Sequence, residues 1–239
     1  MDHDRCEARL RKAIGCADMC ELLSAAFSFP DEPLAAALAD GSFTSDVTLC
    51  MEDIGADPLA ASAASEALAS LVGCEPAELL TVLRKAYSQL YLAPGVDVPV
   101  FPYESAFRFV AEDRAGAPVL FRSPVTLDVE ACFDRAGVAA ANARKEPCDS
   151  VFSEFVFLSY LYACLAEAIR VGDGQLEEQW SNQLDAFVNQ HVAQWLPAFM
   201  EQTIEAAGVV AGGEAYAALA RFGSQALGAM ACELPSAGR

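Results

Sequence analysis

Apolar residues recur along this chain at helical spacing almost from end to end. Leu79, Leu83, Ala86 and Leu90 make one stripe, and Val151, Phe155, Leu158, Tyr162, Leu165 and Ile169 make another at alternating steps of four and three. Strand-like alternation is missing, and the frequent Ala, Leu and Glu favour helix as well. The pattern predicts an all-α fold: a single-domain bundle of about ten helices over residues 1–239.

Breakers and caps divide that pattern. A first helix over 5–29 is stopped by Pro30, a short one covers 33–39, and another short element spans 42–54. Asp57 caps a helix to residue 72, and Glu75-Pro76 opens one that runs to 92 and ends at Pro94-Gly95. Three prolines and a glycine over 93–102 make a non-helical crossing. A turn or two of helix follow Ser105, Thr126 or Asp128 caps a helix to 136, and Asp149 is placed to cap a long helix. Helices over 175–190, 191–207 and 214–231 complete the chain, with Pro197 as a kink or a new start. A candidate hinge at 139–148 separates residues 1–138 from 149–239. Exchange of the later helices across it would give a domain-swapped homodimer instead of a monomer.

The long helix is apolar on a second face too, through Phe157, Leu161 and Cys164, which suits the centre of a bundle. It resembles a membrane span, but Glu154 and Glu167 bracket its apolar run, and crossing a bilayer takes about twenty apolar residues. Stable membrane insertion is therefore not expected. The start, Met1-Asp2-His3-Asp4-Arg5, lacks a signal-peptide pattern, which points to the cytoplasm.

Composition narrows the partners. With 54% apolar and 21% charged residues, the chain can build a sizeable core. A net charge of −19, from 34 acids and 15 bases, repels phosphate backbones and favours basic ligands, so nucleic acid is not an expected partner. The 9 cysteines show no Cys-x-x-Cys and no framework spacing, and they read as reduced thiols. Cys16 and Cys20 fall on one helical stripe with Leu23 and Phe27, a core position rather than a metal site, since structural zinc wants four ligands.

Catalytic patterns are absent. The sequence holds only 2 histidines, His3 and His191, and no nucleophile elbow, phosphate loop or dinucleotide fingerprint. Neither a catalytic residue, a metal ligand set nor a cofactor is expected. His191, Trp195 and Phe199 repeat every fourth residue, as a packed helix face or one wall of a binding site. Two other segments invite recognition of a polypeptide: Pro99-Val100-Phe101-Pro102-Tyr103-Glu104-Ser105 and Glu146-Pro147-Cys148-Asp149-Ser150.

Four pieces in order resemble the TorD/DmsD/NarJ family of redox-enzyme maturation chaperones. Tyr87-Ser88-Gln89-Leu90-Tyr91 before Pro94-Gly95 is similar to the family's Tyr-x-x-Leu-Phe and Gly-Pro, with the last pair reversed. Pro102-Tyr103-Glu104-Ser105-Ala106-Phe107 resembles its Pro-x-x-Ser-Val-Tyr. Glu146-Pro147-Cys148-Asp149-Ser150, leading into Glu154-Phe155, resembles Glu-x-Pro-Asp-His, with Ser150 where the family carries histidine. Phe187, His191, Trp195, Pro197 and Phe199 match Phe-x-x-x-His-x-x-x-Trp-x-Pro-x-Phe.

The resemblance implies a cytoplasmic chaperone without turnover. It would bind the twin-arginine signal peptide of a molybdopterin-containing oxidoreductase and hold the apoenzyme until cofactor insertion. Carboxylates suit paired guanidinium groups, and aromatics and prolines suit the apolar stretch beyond them. The residues expected at that site are Tyr91, Phe101, Pro102, Tyr103, Glu104 and Ser105 on one wall, and Glu146, Asp149 and Ser150 on the other. Core packing for Tyr91 and helix capping for Asp149 remain open beside these roles. The rival readings are a helical adaptor for another protein and a small-molecule or nucleotide enzyme.

Overall fold

The computed structural model describes residues 2–92, 98–139 and 146–231. Eleven α-helical segments run through them in the order α1 (Asp2–Phe27), α2 (Glu32–Asp40), α3 (Ser42–Ile54), α4 (Pro58–Leu68), α5 (Pro76–Tyr91), α6 (Glu104–Ala111), α7 (Pro124–Arg135), α8 (Val151–Val171), α9 (Gly174–Phe187), α10 (Ala193–Ala207) and α11 (Glu214–Ala231). A 3₁₀ turn, Ala69–Leu71, extends α4, and a π-helical turn, Val188–Val192, joins α9 to α10 without a break. The all-α expectation holds. Most of the candidate hinge, residues 140–145, and the Pro94-Gly95 stop lie outside the described residues.

Local chemistry starts these helices. Asp31, Asp57, Glu75 and Asp173 each accept a backbone N–H from the first turn of α2, α4, α5 and α9, and proline stands in the first turn of α2, α4 and α5. Helix α7 begins earlier than Thr126 or Asp128 would set it. Ser123 is the cap, its Oγ accepting the Thr126 N–H at 3.0 Å, with Pro124 opening the first turn. The bundle centre is α8, packed along α1 and flanked by α9, while α11 lies against α4 and α10 and α2 against α5. Gly15 permits the α1–α3 crossing, because a Cβ there would come within 2.8 Å of Asp53 Cβ.

The interior is one continuous apolar cluster. From α1 it takes Cys16, Met19, Cys20, Leu23 and Phe27, the stripe expected of them. Burial pushes the Cys16 thiol up to about 11, which suits an inert packing role. At 21 residues α8 is long and apolar enough to cross a membrane, longer than its charge-free run suggests. Yet 61% of its most apolar window is buried inside the fold.

The π turn has a geometric cause in the fourfold repeat Phe187, His191, Trp195, Phe199. Four residues of an ideal α-helix turn through roughly 400°, so three such steps would rotate the last residue about 120° off the first. A π turn takes more residues per revolution and absorbs part of that drift. All four side chains therefore face the core, each at most 1% exposed.

Candidate functional site

The two recognition segments meet. Residues 102–104 arrive extended, with Tyr103 at φ −130° and ψ 129°, and they pair antiparallel with 149–151. The Val151 N–H donates to the Pro102 carbonyl at 2.9 Å, and the Glu104 N–H donates to the Asp149 carbonyl at 2.8 Å. Extended backbone sends successive side chains to opposite sides, so Tyr103 and Glu104 part company here.

Asp149 caps a helix, though a different one from the long helix it precedes. Its Oδ2 accepts the Ser105 N–H at 3.0 Å, supplying the first turn of α6 with the partner that Tyr103, at the cap position, does not give. The cap of α8 is Ser150, whose Oγ faces the Ser153 N–H at 3.4 Å and donates to the Ser153 hydroxyl at 2.7 Å. Ser150 thus has a structural task of its own at the start of α8.

Behind the pairing runs a buried polar seam. Glu104, Asp149 and Glu154 are all 0% exposed. Glu104 Oε2 lies 2.8 Å from His191 Nδ1, and its Oε1 accepts from Arg108 Nη1 at 2.7 Å. Glu154 Oε2 accepts the Trp195 indole N–H at 3.0 Å, leaving Oε1 without a hydrogen-bond partner. Burial first, and then the nearby Glu104 charge, drive the Glu154 carboxyl well above the usual range. Burial works against a charged His191, but hydrogen bonds to Cys132 and Glu104 and the Glu104 charge outweigh it and hold the imidazole up at about 9. The seam therefore contains an imidazolium–carboxylate pair beside a carboxyl whose hold on its proton is strengthened by burial.

The outward side of the same pairing is aromatic and acidic. Tyr103 and Glu146 are half-buried and within hydrogen-bonding reach of each other, and burial raises both of their proton affinities. Tyr87 lies beside them and makes an edge contact with Phe29 at 5.4 Å. Phe29 is 53% exposed and carries the Arg84 guanidinium 5.7 Å above its ring. Phe29 lies outside the segments that suggested the site; an aromatic followed by Pro30 was the available signal.

Of the nine residues expected at a binding site, Phe101, Tyr103 and Glu146 reach solvent in part. Pro102, Glu104, Ser105, Asp149 and Ser150 are buried in the pairing itself. Tyr91 is deeper still, its hydroxyl 3.1 Å from Thr203 Oγ1 and its ring stacked on Phe199 at 5.7 Å. An open cleft of about 570 Å³ is lined by Arg108, Pro124, Val125, Leu127, Asp128, Gln190 and His191. Among the described residues no group of three or more His, Cys, Asp or Glu is placed to hold a metal ion.

Fold and junction together define an all-α bundle in which three of the four motif segments converge on one polar seam, while the first packs through Tyr91 against Phe199. The family model for the nitrate reductase delta subunit matches residues 57–201, from the start of α4 into α10, and the chain belongs to that family of NarJ/TorD-type chaperones. Its general task is the maturation of a redox enzyme. The match takes in Tyr87, both recognition segments, the π turn that carries His191 and the first part of α10 with Trp195 and Phe199. No curated protein and no solved structure matches the chain.

Proposed function

We propose that this chaperone binds the twin-arginine signal peptide of a molybdopterin-containing oxidoreductase in the cytoplasm, holding the apoenzyme until its cofactor is inserted. The observation that carries the reading is the pairing of 102–104 with 149–151, which sets Tyr103 and Glu146 side by side on an accessible aromatic face. A guanidinium is weakly hydrated and planar, so it can stack on a tyrosine ring while donating to a carboxylate. Arg84 over Phe29 is an internal example of the stacking half of that contact. Phe29 and Phe101 offer the apolar surface that the rest of a leader peptide requires. Glu104, Ser105, Asp149 and Ser150 work from behind, holding the two segments in register, while Tyr91 and Pro102 back the aromatic face.

Calorimetric titration of the full chain with a synthetic twin-arginine leader tests this. Tyr103→Ala and Glu146→Gln are each expected to weaken binding about tenfold, the loss of roughly one charge-assisted contact. Unchanged affinity in both variants would remove this face from the site. Equal affinity for a leader whose two arginines are alanine would favour the helical-adaptor reading.

A further inference from the structure

On the reading of the Tyr103–Glu146 face as the leader site, we propose that Arg84 is a specificity-determining residue of that site. It is a fixed cation at the far end of the aromatic row, where it rejects leaders that carry a basic residue in their apolar stretch and so steers the arginine pair to Glu146.

The row has three rings and two charged ends. Tyr103 stands beside the Glu146 carboxylate, Tyr87 comes next, and Phe29 meets Tyr87 edge-on at 5.4 Å. Arg84 closes the row, its guanidinium carbon 5.7 Å from the centre of the Phe29 ring. Two restraints hold it there. The ring face attracts the cation, and Nε donates to the Pro30 carbonyl at 3.0 Å, a contact that ties α5 to the turn between α1 and α2. Phe29 and Arg84 are both exposed, so the pair meets whatever lies along the face.

The charge on Arg84 is not cancelled locally. Arg9, Arg108, Arg114 and Arg170 each pair with a carboxylate, whereas among the described residues Arg84 has no carboxylate within ion-pair distance and bonds to a neutral carbonyl. Asp31, which follows Pro30, is engaged elsewhere: its Oδ1 accepts the Leu34 N–H at 3.0 Å as the cap of α2. In a chain of net charge −19, one end of the row is thus a half-buried acid and the other an unpaired cation.

A peptide laid along the row with its guanidinium groups at Glu146 brings its following residues to Phe29. An uncharged side chain there covers the ring. A lysine there would lie within about 6–7 Å of Arg84, and like charges at that separation on a partly solvated surface repel enough to cost about tenfold in affinity. Selectivity of this kind comes from the repulsive element and needs no added attraction.

A lysine is walked through the positions after the arginine pair of a synthetic twin-arginine leader, and each peptide is titrated calorimetrically into the full chain, Arg84→Gln and Arg84→Lys. At one or two positions lysine is expected to weaken binding to the unaltered chain about tenfold more than to Arg84→Gln. Arg84→Lys keeps the charge and should keep most of the penalty, which high salt should shrink; a packing role for Arg84 would predict neither. Suppose the unaltered leader binds and is weakened by Glu146→Gln. A lysine penalty that is then equal in the unaltered chain and Arg84→Gln at every position, or one lost as fully in Arg84→Lys as in Arg84→Gln, overturns the role of Arg84 alone. If instead the unaltered leader fails to bind, or binds equally well to Tyr103→Ala and Glu146→Gln, the face is not the leader site and the role of Arg84 falls with it.

Discussion

The two sides of the pairing between 102–104 and 149–151 are built from neighbouring residues and have opposite characters. Tyr103 and Glu146 reach solvent, whereas Glu104 and Asp149, one and three positions away, are sealed at 0% exposure. The inner side makes stability, through His191, Trp195 and the first turn of α6; the outer side offers aromatic faces and one accessible acid. Acidic residues in a recognition motif thus divide into those that meet a ligand and those that hold the backbone for it.

Breaking the inner side should have the largest effect. Glu104→Ala leaves a buried imidazolium without its partner and should cost about 3–5 kcal/mol in urea denaturation. A loss below 1 kcal/mol would mean that the seam is not what holds the junction.

Next comes pH. With His191 at about 9 in the folded chain and near 6.5 when unfolded, its contribution is fully present below pH 6.5 and fades as pH rises through 9, on the order of 3 kcal/mol in all. Raised carboxyls such as Glu154 act in the same sense, because above the ordinary carboxyl range the unfolded chain sheds a proton that the folded one keeps. Urea midpoints should therefore fall steadily between pH 6 and 9.5; a flat or rising profile would refute the charged pair.

Asp149→Ala should cost about 1–2 kcal/mol and Ser150→Ala about 1, as losses of the caps of α6 and α8. If Ser150→Ala cost clearly more than Asp149→Ala, Asp149 would have no place in capping α6. In the opposite direction, Glu154→Gln should stabilise by about 1 kcal/mol at pH 8, because the amide still accepts from Trp195 and has no proton to lose. Smallest of all, Glu146→Gln should move the melting midpoint by an amount within about 0.5 kcal/mol while weakening leader binding, which separates the outer side from the inner one.

Much of this could be read beforehand where local signals rule. Helices 42–54 and 214–231 came out with the expected bounds, since breakers and periodicity agree at both ends. The joining of two segments more than forty residues apart was legible as shared motif chemistry, without its register. Less legible were features decided by partners distant in sequence. Asp149 sits immediately before Ser150 and α8, yet its carboxylate serves α6, an assignment that only the pairing could make. Glu104 looked available as a charge because nothing nearby in sequence shows that His191 will close over it. The expected boundary between residues 190 and 191 is instead a continuous helix, since a π turn depends on what the helix packs against more than on which residues compose it. Phe29 escaped notice because a single aromatic before a proline carries no pattern.

The reach of the seam along the chain sets when the junction can exist during synthesis. Residues 102–104 wait for 149–151 to pair with them, and Glu104 waits for His191, 87 positions further on. A ribosome-bound chain stopped before α8 would leave Tyr103 and Glu104 on an unpaired strand, and one stopped before the π turn would leave Glu104 without His191. The chaperone therefore becomes competent late, and a truncated product would compete poorly for the same client.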